Sequence, residues 1–576
     1  MFGPKVEKND EPVENVPAND EDDTHVYPSG LKLGLIIISI YIAMFLVALT
    51  DREPFTIQDK LIIATAIPSI TNEFHTSNDI GWYGTAYLLC NAAFLPVFGK
   101  VYKVFNVKVV FLSAIVLFEI GSAVCGSAPN SIAFILGRAI AGMGAAAVQS
   151  GCLVAIVYAV PLAKRPKYQG GVGAVFGVSS ILGPTLGGAL TDSTTWRWCF
   201  YINLPFAVLV LPCIFFFLTI PERDDDKKSL KEKILQLNFE GLAALLPGVV
   251  CLCLALQWGG FTYSWNNGRI IALLVLAVVL LIGFVLIQIW RPERAMIPPK
   301  IFTQRSVVSG FVSTCCLGAS QTLTLYYLPV WFQAIKGDSP VHSGIQLLAL
   351  TLAMVVASIF SGIMTGKLGY YTPFLITGIC LVATGTGLLN TLQVDTPIRT
   401  VIGFQILCGL GFGSSSQAPN LAAQTVLKRD DISIGVSLMM FGMTLFSAIF
   451  VQIGQNVLDN QLIKGLQKLV DITSQQIENA GATDLLSIIP AAKHEAALQV
   501  YNSALKMCFR VAVIMACIAI FGGATMEWRS VKKARKEAQA KEKTLEEGQT
   551  EEKTVEVGQA HDGVHSESES ETKDKA

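Results

Sequence analysis

Three ionisable side chains stand in or beside otherwise apolar stretches of this sequence: Asp59, Glu119 and Arg138. A carboxyl group enclosed by apolar neighbours can take up and release a proton. An arginine at the centre of a bilayer costs about 2.5–3.5 kcal/mol on insertion scales, so it is kept where it faces a cavity or a partner. Glu119 lies deep in LFEIGSAVCG, and a structural hydrogen bond to a neighbouring helix is the competing account of it. Arg138 shares one helical face with Gly142, Ala145 and Gln149. Its competing account is an arginine that snorkels to the interface. Asp51 and Asp192 are further acids at the ends of apolar stretches. A second set is polar but uncharged: Tyr87, Asn91, Gln149, Gln321, Tyr326, Gln405, Gln417 and Gln424. Such groups can line a cavity for amphipathic organic molecules, and each alone also reads as an interhelical hydrogen bond.

The elements that must position these residues are long apolar runs. Of 576 residues 52% are hydrophobic and 15% charged, against about a quarter charged in a soluble domain. The charges gather in the first thirty residues, in short loops and in the last fifty. Between them the hydropathy predicts fourteen spanning helices, near 32–50, 80–101, 108–126, 131–159, 169–190, 199–220, 238–257, 270–290, 307–331, 343–366, 373–392, 400–426, 433–456 and 506–526. Runs of about 20 apolar residues match a hydrocarbon core roughly 30 Å thick. In lipid only a continuous helix satisfies its own backbone there. The acidic first 30 residues and the charged tail from 528 are expected to be disordered.

Loop charge sets the expected orientation. Alternate connections carry Lys100, Lys103 and Lys108; Lys164, Arg165 and Lys167; Arg223 to Lys233; Arg291 to Arg305; Lys367; and Lys428 with Arg429. The opposite connections after the first hold only Arg197, Arg269, Lys336 and Arg399. The basic side is therefore expected to be cytosolic, with both termini on it. The connection 457–505 falls on the other side and reads as part helical and amphipathic. The basic start of the tail (Arg529, Lys532, Lys533, Arg535, Lys536) suits an anionic lipid surface and not nucleic acid. The acidic N-terminus has no apolar core of a cleavable signal.

Several chemistries are excluded by pattern. The chain has no nucleotide phosphate loop, no nucleophile elbow and no zinc-spaced Cys and His, so it reads as neither an enzyme nor an ATP-driven machine. No cofactor or metal is expected. Most of the 13 cysteines lie in apolar runs, as small packing residues.

The glycines carry the most specific pattern. In GAVFGVSSILGPTLGG, Gly173 and Gly177 are four apart, as are Gly183 and Gly187, with Pro184 and Gly188 beside them. That spacing makes a smooth face for close helix packing, and proline removes a backbone donor and bends the helix. Ordinary packing is the alternative for the glycines singly. Gly-Pro followed by Gly-Gly within one span resembles the antiporter motif of the major facilitator superfamily. ILGRAIAGMGAAAVQSG, with Arg138, resembles that superfamily's fourth-helix motif, which is linked to proton coupling. GKVYKVFNVKVVF resembles its conformational-switch loop at Gly99 and Lys108. It departs at Lys103, where most members carry an acid, and at Asn106, where they carry a glycine, so a salt-bridge gate built on that acid does not transfer. DIGWYGTAYLL, WRWCFYINLP, YYLPVWFQAIKGDSPVHSG and GLGFGSSSQAP resemble the fourteen-helix drug:proton antiporter branch, typical of fungal toxin and multidrug exporters. The resemblance spans roughly residues 31–527.

The resemblance implies an all-α membrane protein of the major facilitator fold. Its parts would be a six-helix bundle over 31–222, a cytosolic linker and two extra helices over 223–300, and a second six-helix bundle over 301–527. Two halves rocking about a central site would give alternating access. It implies a monomeric, proton-coupled exporter of small amphipathic organic compounds in the plasma membrane, with the vacuolar membrane as alternative. Asp59 matches the acid of the motif that the family places at the end of its first helix (DKLIIATAIP, with Leu61 in place of the usual threonine), but Thr50 to Gln58 interrupts that helix as an insertion. Import of a siderophore or nutrient, or a transport-inactive sensor, are the other accounts of the same chain.

Overall fold

The computed structural model describes residues 27–51, 70, 73–74, 80–220, 229–260, 263–292, 294–469, 489–490 and 493–532. Asp59, nearly all of the Thr50–Gln58 insertion, the first 26 residues and the tail beyond 532 lie outside the described residues. Helices occupy each of the fourteen predicted segments. They are α1 (Gly30–Asp51), α2 (Ile80–Val104), α3 (Val107–Gly126), α4 (Ser131–Ala159), α5 (Arg165–Ser193), α6 (Asn203–Phe217) and α7 (Phe239–Trp258). They continue as α8 (Gly268–Trp290), α9 (Arg305–Lys336), α10 (Pro340–Leu368), α11 (Thr372–Leu389), α12 (Ile398–Ser415), α13 (Ile432–Leu466) and α14 (His494–Thr525). Short helices Trp198–Tyr201 and Ala418–Val426 adjoin α6 and α12.

Local chemistry explains where the helices begin and end. The first N–H groups of a helix lack partners within it. Asn106, Asn130, Asn238, Asn267 and Ser339 cap five starts by accepting from them, as in Ala133 N to Asn130 Oδ1 at 2.9 Å. Gly337 and Gly369, with φ of 71° and 89°, end α9 and α10 in the left-handed conformation that a side chain disfavours.

By length and composition ten of the described helices can cross a membrane. The exceptions α2, α5, α9 and α12 are diluted by Gly, Ser, Tyr and Gln, and they hold Tyr87, Asn91, Gln321, Tyr326 and Gln405. Helices α13 and α14 outrun their apolar windows. Their added turns are amphipathic, burying Leu458, Leu462 and Leu466 on one and Ala497, Tyr501 and Ala504 on the other. Helix α13 thus continues to Leu466 and α14 begins at His494, both inside the connection expected over 457–505.

The packing repeats. In the first half α3 packs on α4, α2 on α4, α1 on α5 and α6, and α3 on α6. In the second half α11 packs on α12, α10 on α12, α9 on α13 and α14, and α11 on α14. Each pair in one list corresponds to a pair in the other when α1–α6 are exchanged for α9–α14. Across the seam α2 meets α13 and α5 meets α10, contacts that the same exchange interconverts. Such a relation between halves is the parallel repeat of many transport folds. Helices α7 and α8 pack together, and α7 touches both α2 and α13.

Close approach is decided residue by residue. A Cβ on Gly409 of α12 would stand 2.2 Å from the Leu350 carbonyl oxygen of α10, whereas one on Gly403 would meet nothing within 4 Å. Gly409→Ala is expected to destabilise the protein by about 1–3 kcal/mol, the usual cost of overpacking. Gly403→Ala in the same helix is expected to be neutral. Thermal unfolding in detergent checks both, and equal melting temperatures would contradict the packing account.

Candidate functional site

Arg138 is completely buried, which rules out the snorkelling account. Its Nε donates to the Tyr83 carbonyl at 2.9 Å, and its guanidinium lies 4.3 Å from the Tyr87 ring centroid. The placement follows from a glycine one turn further along α4. A Cβ on Gly142 would stand 2.2 Å from the Tyr87 carbonyl oxygen, so the backbones of α2 and α4 are nearly in contact. That contact brings the arginine onto the tyrosine, where a cation gains from the ring face. The predicted face is buried throughout, with Ala145 at 0% and Gln149 at 4% exposure.

Glu119 on α3 is 7% exposed, and neither carboxylate oxygen has a hydrogen-bond partner. The hydrogen-bond account drawn from the sequence needs correction here. Glu119 makes no interhelical hydrogen bond, and it does not pair directly with Arg138. Its helix is set by other contacts: Gly121 against the backbone of Ala141, and Phe118 against Gly144. One turn on, Ser122 accepts from Asn203 Nδ2 at 3.1 Å. Asp59 lies outside the described residues, as do the side chains of Asp51 and Asp192.

The glycine face of α5 packs across the seam. A Cβ on Gly173 would stand 2.2 Å from Ser358 Oγ of α10, and one on Gly177 the same distance from Val355 Cγ2. Ser358 Oγ donates to the Gly170 carbonyl at 3.1 Å. Gly183 is buried further along α5. Pro184, Gly187 and Gly188 continue the helix, and their surroundings lie outside the described residues.

The other seam contact is electrostatic. Lys103 Nζ lies 2.5 Å from Asp431 Oδ1, with side-chain exposures of 27% and 24%. Beside it a Cβ on Gly99 would meet Ser437 at 2.8 Å, and the Ser150 and Ser437 hydroxyls are hydrogen-bonded. The Arg429 guanidinium lies 4.8 Å from the Tyr158 ring centroid. An ion pair between the halves is thus present at this loop with its base on the first half and its acid on the second. Lys108 takes no part in that pair and lies 5.2 Å from the Phe215 ring centroid. Asn106, in place of the glycine, caps α3.

The uncharged candidates are scattered over both halves. Tyr87 is joined to Arg138, as described. Asn91 is fully buried on the same helix. Gln321 Nε2 is 3.3 Å from Met354 Sδ, and Tyr326 meets the Tyr327 ring edge-on with centroids 4.7 Å apart. Gln405 is fully buried with both amide atoms unpartnered, and so are both amide atoms of Gln424 and the amide oxygen of Gln417. Gln417 reaches the first half: its Nε2 lies 3.4 Å from where a Cβ on Gly173 would stand. None of these residues lines the cavity of about 350 Å³ between α7, α13 and α14, whose walls include Leu256, Trp265, Asn456 and Met507. Among the described residues no three metal-ligating side chains come together.

Sequence reasoning missed Asp431, Gln169 and Asn420. Asp431 follows Lys428 and Arg429 in a loop counted only for its positive charge. Gln169 lies four residues before Gly173, a spacing that puts it near the glycine face. Asn420 lies three after Gln417 by the same rule.

Residues 36–451 match the Major Facilitator Superfamily family profile. An MFS-type transporter of Claviceps purpurea is 47% identical over 508 residues, covering 88% of this chain and 86% of that one. The rubrofusarin-specific efflux pump aurT of Gibberella zeae is 44% identical over 511 residues, covering 88% and 92%. The efflux pump aflT of Aspergillus parasiticus is 43% identical over 518 residues, covering 89% and 99%. Among solved structures the proton:xylose symporter XylE superposes with a TM-score of 0.55 over 85% of this chain and 94% of its own, at 13% identity, a likeness of fold alone. With its repeated bundles, its paired seams and these relatives, the chain is a multi-pass integral membrane transporter that belongs to the Major Facilitator Superfamily.

Proposed function

We propose that this protein exports small, mostly amphipathic organic compounds in exchange for protons, by rocking its two halves about a central site. The observation that carries the reading is the glycine face of α5 packed on α10. A seam that small residues keep smooth can separate and re-form as the halves move. Export pumps among the relatives support the outward direction. The basic connections support fourteen crossings with both termini cytosolic, and the plasma membrane is the membrane we favour. We take the protein to act as a monomer.

In this reading Arg138 and Glu119, with Asp59, form the proton-responsive set, acting through the intervening helices and not by direct contact. Export driven by an imposed pH gradient in proteoliposomes is expected to fall about tenfold or more in Arg138→Ala. That is the equivalent of one charge-assisted hydrogen bond of about 1.5–3 kcal/mol. Glu119→Gln is expected to uncouple export from the gradient while leaving the fold intact. Gradient-driven export that persists in both variants would refute the assignment.

The Lys103–Asp431 pair serves as a latch on the basic end, a role that the loop's departure from the family pattern does not remove. The pair is partly exposed, so it is worth about 0.2–1 kcal/mol. Lys103→Glu sets like charges together and is expected to speed alkylation of a cysteine placed at Ser437, roughly two- to fivefold. Adding Asp431→Lys is expected to return the rate to that of the parent. Labelling rates that merely add in the double variant would show that the two residues are not coupled.

A further inference from the structure

Ile453, Asn456, Val457, Asn460 and Gln461 follow one another along α13 at helical spacing, so they form a single stripe. That stripe is one wall of the cavity of about 350 Å³, with Leu256 of α7, Trp265 and Met507 of α14 as the others. Helices α7 and α14 both pack on α13, and the cavity lies between them. On α14, Met507 shares its face with Ile514, Ile518 and Phe521, which are all exposed. The cavity wall therefore runs on into an outward apolar surface suited to lipid. The turn after α7 shapes the remaining side. Gly260, with φ of 83°, brings the turn's backbone up to α13. Asn456 Oδ1 occupies the space that a Cβ on Gly260 would need, and Trp265 Nε1 lies 2.8 Å from it. Asn456 Nδ2 donates to the Gln452 carbonyl at 3.0 Å, and Asn460 Nδ2 to the Asn456 carbonyl at 2.7 Å. With Asn456 Oδ1 packed against Gly260, the amide oxygen of Asn460 is the acceptor that this wall offers.

The stripe changes character along its length. Helix α13 starts at the basic end, so Ile453 and Val457 lie deeper in the bilayer and Asn460 and Gln461 nearer its opposite surface. Asp459 is turned to another side of the helix, where it accepts from Gln455 Nε2 at 2.9 Å. Among the described residues no charged side chain lines the cavity. An ionised head group would lose its hydration there without a counter-charge. From Ile453 to Gln461 the stripe is about 12 Å long, less than the roughly 15 Å of hydrocarbon in one leaflet. A short slot with fixed walls favours a rigid occupant, because flexible chains forfeit more freedom on entering it. We propose that this cavity holds a membrane sterol, a flat and uncharged lipid with one hydroxyl. The hydroxyl donates to the amide oxygen of Asn460. The ring body lies on Ile453, Val457 and Met507 beside the Trp265 indole, and the alkyl tail follows Ile514 and Phe521 toward the bilayer middle. The sterol fills the gap between the extra helices and the second half, beside the α2–α13 seam that α7 spans. The assignment does not depend on what the protein exports or on what drives it.

The test is photolabelling of the full-length protein in phosphatidylcholine nanodiscs with a cholestanol that carries a diazirine, followed by mass spectrometry of the labelled peptides. Label is expected on residues 453–461 and around Met507. Unlabelled cholesterol is expected to displace it. Cholesteryl methyl ether, which has no hydroxyl to donate, is expected to compete roughly two- to tenfold less well, the worth of one hydrogen bond. Asn460→Leu is expected to erase that difference, and Val457→Trp, which fills the cavity, to remove the label. Val457→Phe replaces the tryptophan variant if that one fails to fold by thermal melting. Label spread evenly over the lipid-facing helices, equal competition by the ether, a difference that survives Asn460→Leu, or label that survives filling of the cavity overturns the proposal. So does equal labelling of the same peptides by a diazirine-bearing phosphatidylcholine, which would make the cavity a groove for any lipid. Displacement of the label by 2,6-dihydroxynaphthalene but not by cholesterol also overturns it and gives the cavity to a soluble aromatic compound.

Discussion

At Gly121, Gly142, Gly144, Gly409 and Gly413 the backbone of a neighbouring helix stands where a side chain would begin, and the placement of Arg138 follows from one of those contacts. In a bilayer no hydrophobic force drives one apolar helix against another, so association depends on close packing. Gly142 lets α4 rest on the Tyr87 backbone, and Arg138, one turn away, is thereby set over the Tyr87 ring. Gly409 and Gly413 bring α12 to the carbonyls of Leu350 and Met354 in the same manner. Since α2 and α4 correspond to α10 and α12, the same device has been used twice, once in each half.

The repeat makes the two seam contacts geometrically equivalent but leaves their chemistry free. Between α2 and α13 the halves are held by Lys103 with Asp431 and by the hydroxyls of Ser150 and Ser437. Between α5 and α10 there are glycines, Ser358 and Val355. Parting the basic end must break an ion pair and its hydrogen-bonded neighbours on one side. On the other side it must separate close-packed surfaces and the hydrogen bond from Ser358 Oγ to the Gly170 carbonyl, with no ion pair observed among the described residues. The inverted ion pair also shows why one loop residue is a poor guide to a gate. The attraction belongs to the pair, and changing one partner's sign is harmless when the other is changed too.

The extra helices bear on this seam. Helix α7 touches α2 and α13, and Gln257 near its end lies 3.4 Å from Thr85 of α2. Helix α8 turns Val275, Val279, Ile282 and Leu286 outward, a surface suited to lipid. At the basic end Lys233 sits over the Phe105 ring in the loop after α2, next to the latch residue Lys103. The connection between the halves therefore runs alongside the α2–α13 seam.

The sequence by itself determined the helices and the face of α5 that would pack closely. These depend on local quantities: apolar length, capping residues and glycine spacing. Only the tertiary structure decided which side chains meet. Arg138 and Glu119 are near in sequence and alike in being ionisable within apolar helices, yet one rests on Tyr83 and Tyr87 while the other has no hydrogen-bond partner. Lys103 and Asp431 are 328 residues apart and form an ion pair. Helical spacing says which residues share a face, but a face acquires a neighbour only through contacts made across the whole chain. That is why Asp431 read as an ordinary loop residue until Lys103 was seen against it.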